Sequence, residues 1–322
     1  MKNIRRELFI FTIVALAFLF SLSLASAAEV SRSYVSGQFF LTLNGNKCGF
    51  IKSVVGGSIW AEVIDEPAGP NYFVKKHIAQ PKYEDFTIQV GFSNSRHLYE
   101  WIKQAWNGTN ARVNGSITSA DVNLNAQSER QFTNALLRET TIPAMDGSSK
   151  EPAYITLKFA PEITRTVKAS GKLTADYKIE QKMFLPSNFR LQIDGLDCSK
   201  VNKIESFTVK QGAASKDVGS ARDFLKDPGT LNFPNLKITM PEVAAKPFID
   251  WYENFVIKGI NDDSKEKKGS LTFLSPDRKK ELAIIEFSNM GIFRIQQDVT
   301  GTDQIKRVTI ELYVERMTFQ IK

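Results

Sequence analysis

The chain has 322 residues, with 42 Lys and Arg against 35 Asp and Glu, two His and two Cys. That length suits two domains, each large enough to bury its own core. The formal net charge is +7 and falls to +5 without the N-terminal Lys2, Arg5, Arg6 and Glu7; the remaining charges interleave in sign, which argues against a nucleic-acid footprint.

The N-terminus reads as an export signal. Met1 to Glu7 is short and basic, Leu8 to Leu24 is apolar, and Ala25-Ser26-Ala27 is a small-x-small cleavage site. Residues 1–27 are therefore assigned as a signal peptide. The alternative is a retained anchor, because the apolar run is only slightly short of the roughly 20 residues a span needs. Either way the body is expected outside the cytoplasm: secreted, at the cell surface or in the periplasm. Residues 28–36 are polar and read as a flexible segment.

Gln38 to Leu43 alternates into Asn44-Gly45, a hairpin turn signal, and Cys48 to Val55 reads as the return strand. Ile59 to Ile64 is another strand, and Pro67-Ala68-Gly69-Pro70 marks a turn or loop tip. Phe86, Ile88, Val90 and Phe92 alternate as a half-buried strand. Then Leu98, Trp101, Ile102 and Ala105 fall at i, i+3, i+4 and i+7, one face of an amphipathic helix from Ser95 to Gly108. Ser95 or Ser93 is placed to cap its first turn. Shorter strands follow near Arg112–Ser119, Val122–Leu124, Arg130–Leu137 and Tyr154–Phe159. Residues 165–186 read as a linker or extra hairpin.

The same order then recurs. Asn188 to Ile193 leads into Asp194-Gly195, and a return strand runs to Val209. Gln211 to Asp227 is polar and reads as a loop in place of the Pro67 region. Asn235 to Met240 precedes a second helix between Pro241 and Gly259, with Phe248, Trp251, Tyr252 and Phe255 on one face. Leu271–Leu274, Glu281–Phe287 and Arg307–Val314 are strands.

Trp101 and Trp251 lie 150 residues apart, as do Phe39 and Phe189, Gly45 and Gly195, and Cys48 and Cys198. Past the helix the offset drifts by a few residues, so that Phe132 and Asn134 meet Phe287 and Asn289. The charged turn Asn261 to Lys268 accounts for the drift. A period this long indicates two whole domains, residues 37–164 and 187–322, rather than a solenoid. The expected fold class is mainly β, a sandwich or barrel with one packed α-helix per domain. Phe39, Trp101, Phe189 and Trp251 are its repeated core positions; Asn44, Gly45, Asp194 and Gly195 are its hairpin turns. Two cysteines in an exported chain invite a disulfide. Equivalent points on two copies lie too far apart for one, so two buried thiols are expected.

No residue set for catalysis emerges. His77 and His97 have no metal-ligand spacing, and no Cys-x-x-Cys, Gly-x-Ser-x-Gly or Walker loop occurs. His97 reads as a surface residue. Asp262, Asp263 and Glu266 are interleaved with Lys265, Lys267 and Lys268, which describes a solvated loop rather than a calcium site. Asn107-Gly108-Thr109 and Asn114-Gly115-Ser116 are read as turns. No cofactor, metal or catalytic residue is assigned, and no enzymatic activity is expected.

The motifs together resemble one family. They are Phe39-Phe40-Leu41-Thr42-Leu43-Asn44-Gly45, Tyr83 to Ile88, Leu98-Tyr99-Glu100-Trp101-Ile102, Gly115-Ser116-Ile117 and Arg130 to Ala135, with Asn188 to Gly195, Leu236 to Thr239, Phe248 to Trp251, Gly269 to Leu274 and Phe287-Ser288-Asn289 in the second copy. This order is similar to the tail tube proteins of contractile phages and related injection systems, over nearly all of the chain after residue 36. The resemblance implies six such domains per ring and rings stacked into a hollow tube. A fused pair needs three chains per ring. The implied partner is the chain itself, with no nucleic acid, and a membrane only if the N-terminal segment is retained. The expected function is a non-enzymatic structural subunit that self-assembles into an exported tube or filament. The alternative is an exported or membrane-tethered monomeric binding module with the same fold.

Overall fold

Two long strands anchor the described part of the molecule, one in each half of the sequence, and nearly everything else is laid against them. The computed structural model describes residues 37–67, 73–91, 95–173, 184–216, 225–298 and 306–322. The expected signal peptide, residues 1–27, and the segment 28–36 lie outside the described residues, as do residues 174–183 of the expected linker 165–186.

In chain order the strands of the N-terminal half are β1 (Gln38–Leu43), β2 (Asn46–Ile51), β3 (Ser53–Gly56), β4 (Ile59–Pro67), β5 (Val74–Tyr83) and β6 (Phe86–Val90). Helix α1 (Arg96–Trp106) follows, then β7 (Arg112–Ala120), β8 (Ala126–Ile142), β9 (Met145–Asp146), β10 (Ile155–Ala160) and β11 (Ile163–Lys168). The C-terminal half contains β12 (Phe189–Ile193), β13 (Lys203–Ile204), β14 (Phe207–Lys216), β15 (Leu225–Asn232) and β16 (Leu236–Pro241). Helix α2 (Lys246–Tyr252) comes next, continued by a π-turn (Glu253–Ile257), then β17 (Lys267–Leu274), β18 (Glu281–Gln297) and β19 (Arg307–Ile321). The fold is mainly β, and every described strand pair is antiparallel.

The strands form a ten-stranded sheet with core order β2-β1-β7-β8-β10-β6-β3, a seven-stranded sheet of order β12-β17-β18-β19-β16-β13-β9, and the isolated pair β4-β5. Each large sheet borrows from the other half. β14 joins β8 in the first, and β9 pairs with β13 in the second. A continuous hydrophobic core runs through both halves.

Several pairings recur between the halves residue for residue. In the hairpins, Trp60↔Lys82, Ala61↔Pro81, Val63↔Ile78 and Ile64↔His77 have counterparts 150 residues on: Lys210↔Asn232, Gln211↔Leu231, Ala213↔Pro228 and Ala214↔Asp227. Both hairpins carry their bulge at the same place. Gly115 faces Phe132 as Gly269 faces Phe287. A Cβ on Gly115 would lie 2.3 Å from the Thr42 carbonyl oxygen, and one on Gly269 would lie 2.7 Å from that of Gln192, so both strand pairs need glycine for close backbone approach. Asn134 and Asn289 both hold left-handed backbone, φ 50 and φ 56.

Several expected elements needed correction. Val122 to Leu124 is a turn rather than a strand, because the Asp121 carboxylate accepts from the backbone N–H of Asn123 (2.8 Å) and Asn125 (2.9 Å). Gln211 to Asp227 is no plain loop: its ends are strands of the β14–β15 hairpin. Their polar composition concealed them, since the apolar surface they lie on comes from the other half of the chain. The second helix is shorter than the first; after Tyr252 it loosens into the π-turn and stops before Gly259, whose φ is 68.

Candidate self-assembly edges

Exposed sheet edges are the feature of this fold with the greatest capacity to bind, because each offers unpaired backbone N–H and C=O groups. The two hairpins present the same edge in two states. The β14–β15 hairpin is docked. Phe207, Thr208, Val209 and Lys210 pair with Ile142, Thr141, Thr140 and Glu139 of β8. Val209 is 2 % exposed and Phe207 5 %. Thr208 and Thr141 share a hydroxyl hydrogen bond of 2.9 Å, and the Gln211 amide donates to the Asn110 side chain.

A charged cluster closes this seam. Asp85 is paired with Arg138 (3.2 Å), Lys158 (3.9 Å) and, from β15, Lys226 (3.4 Å). Glu162 is buried; it binds Arg112, accepts from the Asn134 amide (2.9 Å) and from the Lys226 backbone N–H (3.2 Å). Arg112 also donates to the Lys226 carbonyl. Burial pushes the Lys226 ammonium below the ordinary lysine range, and Asp85 pulls it only part of the way back. The cations and carboxylates here satisfy one another across the two halves, which fixes the register of docking more than it adds stability.

A second contact lies at α1, whose apolar face is buried. Trp106 and Tyr99 pack against Phe319 of β19, with ring centroids 5.7 Å and 6.0 Å apart, and Trp106 also meets Phe233 at 6.4 Å.

The β4–β5 hairpin has the same internal pairing but no third strand among the described residues; only its base, where the Lys226 ammonium donates to the Tyr83 carbonyl at 3.5 Å, is partly buried. Ile59, Trp60, Val63, Ile64, Val74 and Ile78 are each about half exposed or more. Such an apolar two-stranded ribbon is not independently stable in water unless a surface covers it.

The residues singled out in the sequence fall as follows. Trp101 (2 % exposed) and Trp251 (8 %) are buried on their helices, and the Trp101 indole N–H donates to the Ala111 carbonyl at 3.0 Å. Phe39 and Phe189 are partly buried and pack against the core. Asn44 and Gly45 turn β1 into β2 with φ 47 and φ 77, and the Asn44 side chain accepts from the Asn114 backbone N–H. Gly195 has φ 72, and after Asp194-Gly195 the chain makes only a single bridge, Ile193 to Leu196, instead of a return strand. Ser95 begins α1, but its hydroxyl makes no cap bond. Cys48 and Cys198 are free and buried, and burial raises both thiols, Cys198 to about 11. His97 is exposed, and His77 faces Glu66 at 3.1 Å on the open hairpin. Among the described residues no group of three His, Cys, Asp or Glu has metal-binding geometry, and no helix is long and apolar enough to cross a membrane. Sequence reading did not find the docked edge of β8. Its signal was the alternation Phe207, Val209, Gln211, hidden at the boundary of a polar stretch.

Comparison with known proteins adds a family match for part of the chain. Residues 36–163 match the family described as T4-like virus tail tube protein gp19, over about two fifths of the chain. That makes the N-terminal half tail-tube-like in sequence. No curated protein matches the chain. Among solved structures, it is similar to a chain of the PVC sheath–tube complex of an extracellular contractile injection system in the extended state, at 16 % identity and TM-score 0.34, covering 41 % of this chain and 89 % of that one. A chain of the anti-feeding prophage tube-terminating cap matches at 16 % identity and TM-score 0.33, covering 47 % and 97 %. Hcp1 from Flavobacterium johnsoniae matches at 12 % identity and TM-score 0.26, covering 42 % and 95 %.

Proposed function

We propose that this chain is a non-enzymatic structural subunit, duplicated from one tail-tube-like domain, that self-assembles into rings stacked as a tube or filament outside the cytoplasm. The observation that carries this reading is the pair of hairpins. One lies docked on the sheet of the other half, and its counterpart, with matching register, has no third strand among the described residues and leaves its apolar side chains exposed. A molecule that satisfies one such contact internally and leaves one open is built for head-to-tail association. The family match of the N-terminal half supports a tube subunit in particular. Two domains per chain make three chains a ring of six domains. Export rests on the basic and apolar pattern of residues 1–27.

Electron microscopy of the purified mature protein tests this across a range of concentration and salt. Rings or tubes are expected. A strict monomer throughout would overturn the reading and favour the monomeric binding module. N-terminal sequencing of exported protein is expected to begin at Ala28; an intact apolar segment would indicate a tethered subunit.

A further inference from the structure

The surface that receives the open hairpin is visible in a comparison of β8 with β18. β8 is paired along both edges. β11 and then β10 occupy one edge; β7 and then β14 occupy the other. β18 has β19 along the whole of one edge, from Ala283 to Gln297. Its other edge is paired with β17 only as far as Met290. From Gly291 to Gln297 that edge has no strand partner among the described residues.

Three landmarks align the two strands at an offset of 155. Phe132 and Phe287 face the equivalent glycines, Asn134 and Asn289 both have positive φ, and each strand skips one residue, Arg138 in β8 and Phe293 in β18, as a bulge against its neighbour. The hairpins align at an offset of 150. Carrying the docked pairing of β14 on β8 through these offsets gives one register for the open edges: Gly57 opposite Gln297, Ser58 opposite Gln296, Ile59 opposite Ile295, and Trp60 opposite Arg294.

We infer that the β4–β5 hairpin of one copy adds to the free edge of β18 in a second copy in this antiparallel register. This rests on the assembly reading above and specifies its contact. Three of the four facing pairs suit the register, while the buried pair Phe207 and Ile142 becomes Gly57 and the exposed Gln297 at the end of the contact. The buried pair Val209 and Thr140 becomes the apolar pair Ile59 and Ile295. The hydroxyl pair Thr208 and Thr141 becomes the polar pair Ser58 and Gln296. The oppositely charged Lys210 and Glu139 become Trp60 and Arg294, an indole and a guanidinium, which attract through the ring face; within the single chain Lys82 lies 5.1 Å from the Trp60 ring and Arg294 pairs with Glu311 at 3.2 Å. Exposure changes in the required sense. Thr140 is 1 % exposed where β14 covers it, whereas its counterpart Ile295 at the vacant edge is only partly buried, and Ile59 is 51 % exposed where Val209 is 2 %. At the docked seam Arg138, Gln211 and Leu231 line one cleft, and their counterparts Phe293, Ala61 and Pro81 form a more apolar set. Both edges lie on one chain at different places, so the contact is heterologous and propagates from copy to copy.

The test is paired-cysteine crosslinking in the full mature chain. Ile59→Cys with Ile295→Cys, mildly oxidised after assembly, is expected to give a ladder of covalent dimers and trimers on a non-reducing gel, since facing strand positions lie within disulfide reach. Each single variant is expected to give none, and Ile59→Cys with Gln297→Cys at least tenfold less. A second arm uses charge. Ile295→Lys is expected to weaken assembly at least tenfold in sedimentation, and adding Ile59→Glu to restore it. Rings seen by microscopy without the in-register crosslink, or rings unaffected by Ile295→Lys in a protein with unchanged thermal unfolding, would overturn this pairing and leave the ring reading standing. Crosslinked dimers without larger species would support the pairing but contradict rings. Absence of both crosslinks and rings would overturn both.

Discussion

The two hairpins of this molecule share a backbone pattern and differ in surroundings. β4–β5 and β14–β15 pair residue for residue at an offset of 150, with the bulge at the same position. Yet Val209 is 2 % exposed and its counterpart Ile59 is 51 %. Register is thus a local property, set by the strands and their bulge, whereas burial depends on a neighbour. The composition of the two hairpins also fits this difference. The docked one is mostly polar and is held by β8 and the Asp85 and Glu162 cluster. The open one is the more apolar, as expected of a surface that becomes covered. The helices differ in the same direction. α1 is regular and closes on β19, while α2 gives way to a π-turn that packs on β18.

The helices provide the largest test of this contrast. Trp101 is buried and its N–H is satisfied by Ala111; the Trp251 N–H is buried with no partner among the described residues. Trp101→Ala is expected to cost roughly 3–5 kcal/mol in thermal or denaturant unfolding. Trp101→Phe should cost about 1 kcal/mol more than Trp251→Phe, because only the first removes a made hydrogen bond. Equal losses for the two phenylalanine variants would show that the halves are packed alike.

The hairpins provide the next test. Val209→Ala removes apolar side chain from a covered position and is expected to cost about 2 kcal/mol of unfolding free energy. Ile59→Ala, at the counterpart position, is expected to change the stability of the isolated subunit by no more than about 0.5 kcal/mol. The order should reverse in assembly, where Ile59→Ala weakens polymerisation and Val209→Ala acts only through stability. If Ile59→Ala destabilises the monomer as much as Val209→Ala does, the open hairpin is covered within one chain and the contrast fails.

Much of this contrast was legible in the sequence and part of it was not. The tryptophan helix faces, the Asn44-Gly45 turn and the offset of 150 are local patterns, and local patterns survive inspection of a single strand of text. The apolar alternation of Phe86, Ile88 and Val90 marked a strand because its partners are equally apolar. The arms of β14–β15 are not legible because what stabilises them is backbone pairing, with a register fixed by a charged cluster assembled from residues as far apart as Asp85 and Lys226. No window of sequence contains both. The turn at Val122–Leu124 is disguised for the opposite reason: Val and Leu suggest a strand, and a single Asp side chain decides otherwise. The unpaired edge of β18 had no sequence signal of its own. It became visible only against β8, once both bulges were aligned.

The smallest effect concerns the ion cluster beside the docked hairpin. Lys226 is charged and largely buried, and burial lowers its pKa although Asp85 opposes the shift. Between that lowered value and the ordinary lysine value of 10.5, the unfolded chain binds the proton more tightly than the folded one. Stability therefore rises with pH through this window, and the desolvation penalty is fully present below it. Lys226→Met removes the penalty and leaves Asp85 with Arg138 and Lys158. At neutral pH the variant is expected to be as stable as the parent or up to about 1 kcal/mol more so. Its advantage should shrink as pH is raised towards 10.5, measured as the difference in Tm between the two proteins. An advantage that grows with pH, or a loss of several kcal/mol at neutral pH, would mean that the Lys226–Asp85 pair holds the hairpin in place by net attraction, and that β14 docks through charge rather than through its strand partner.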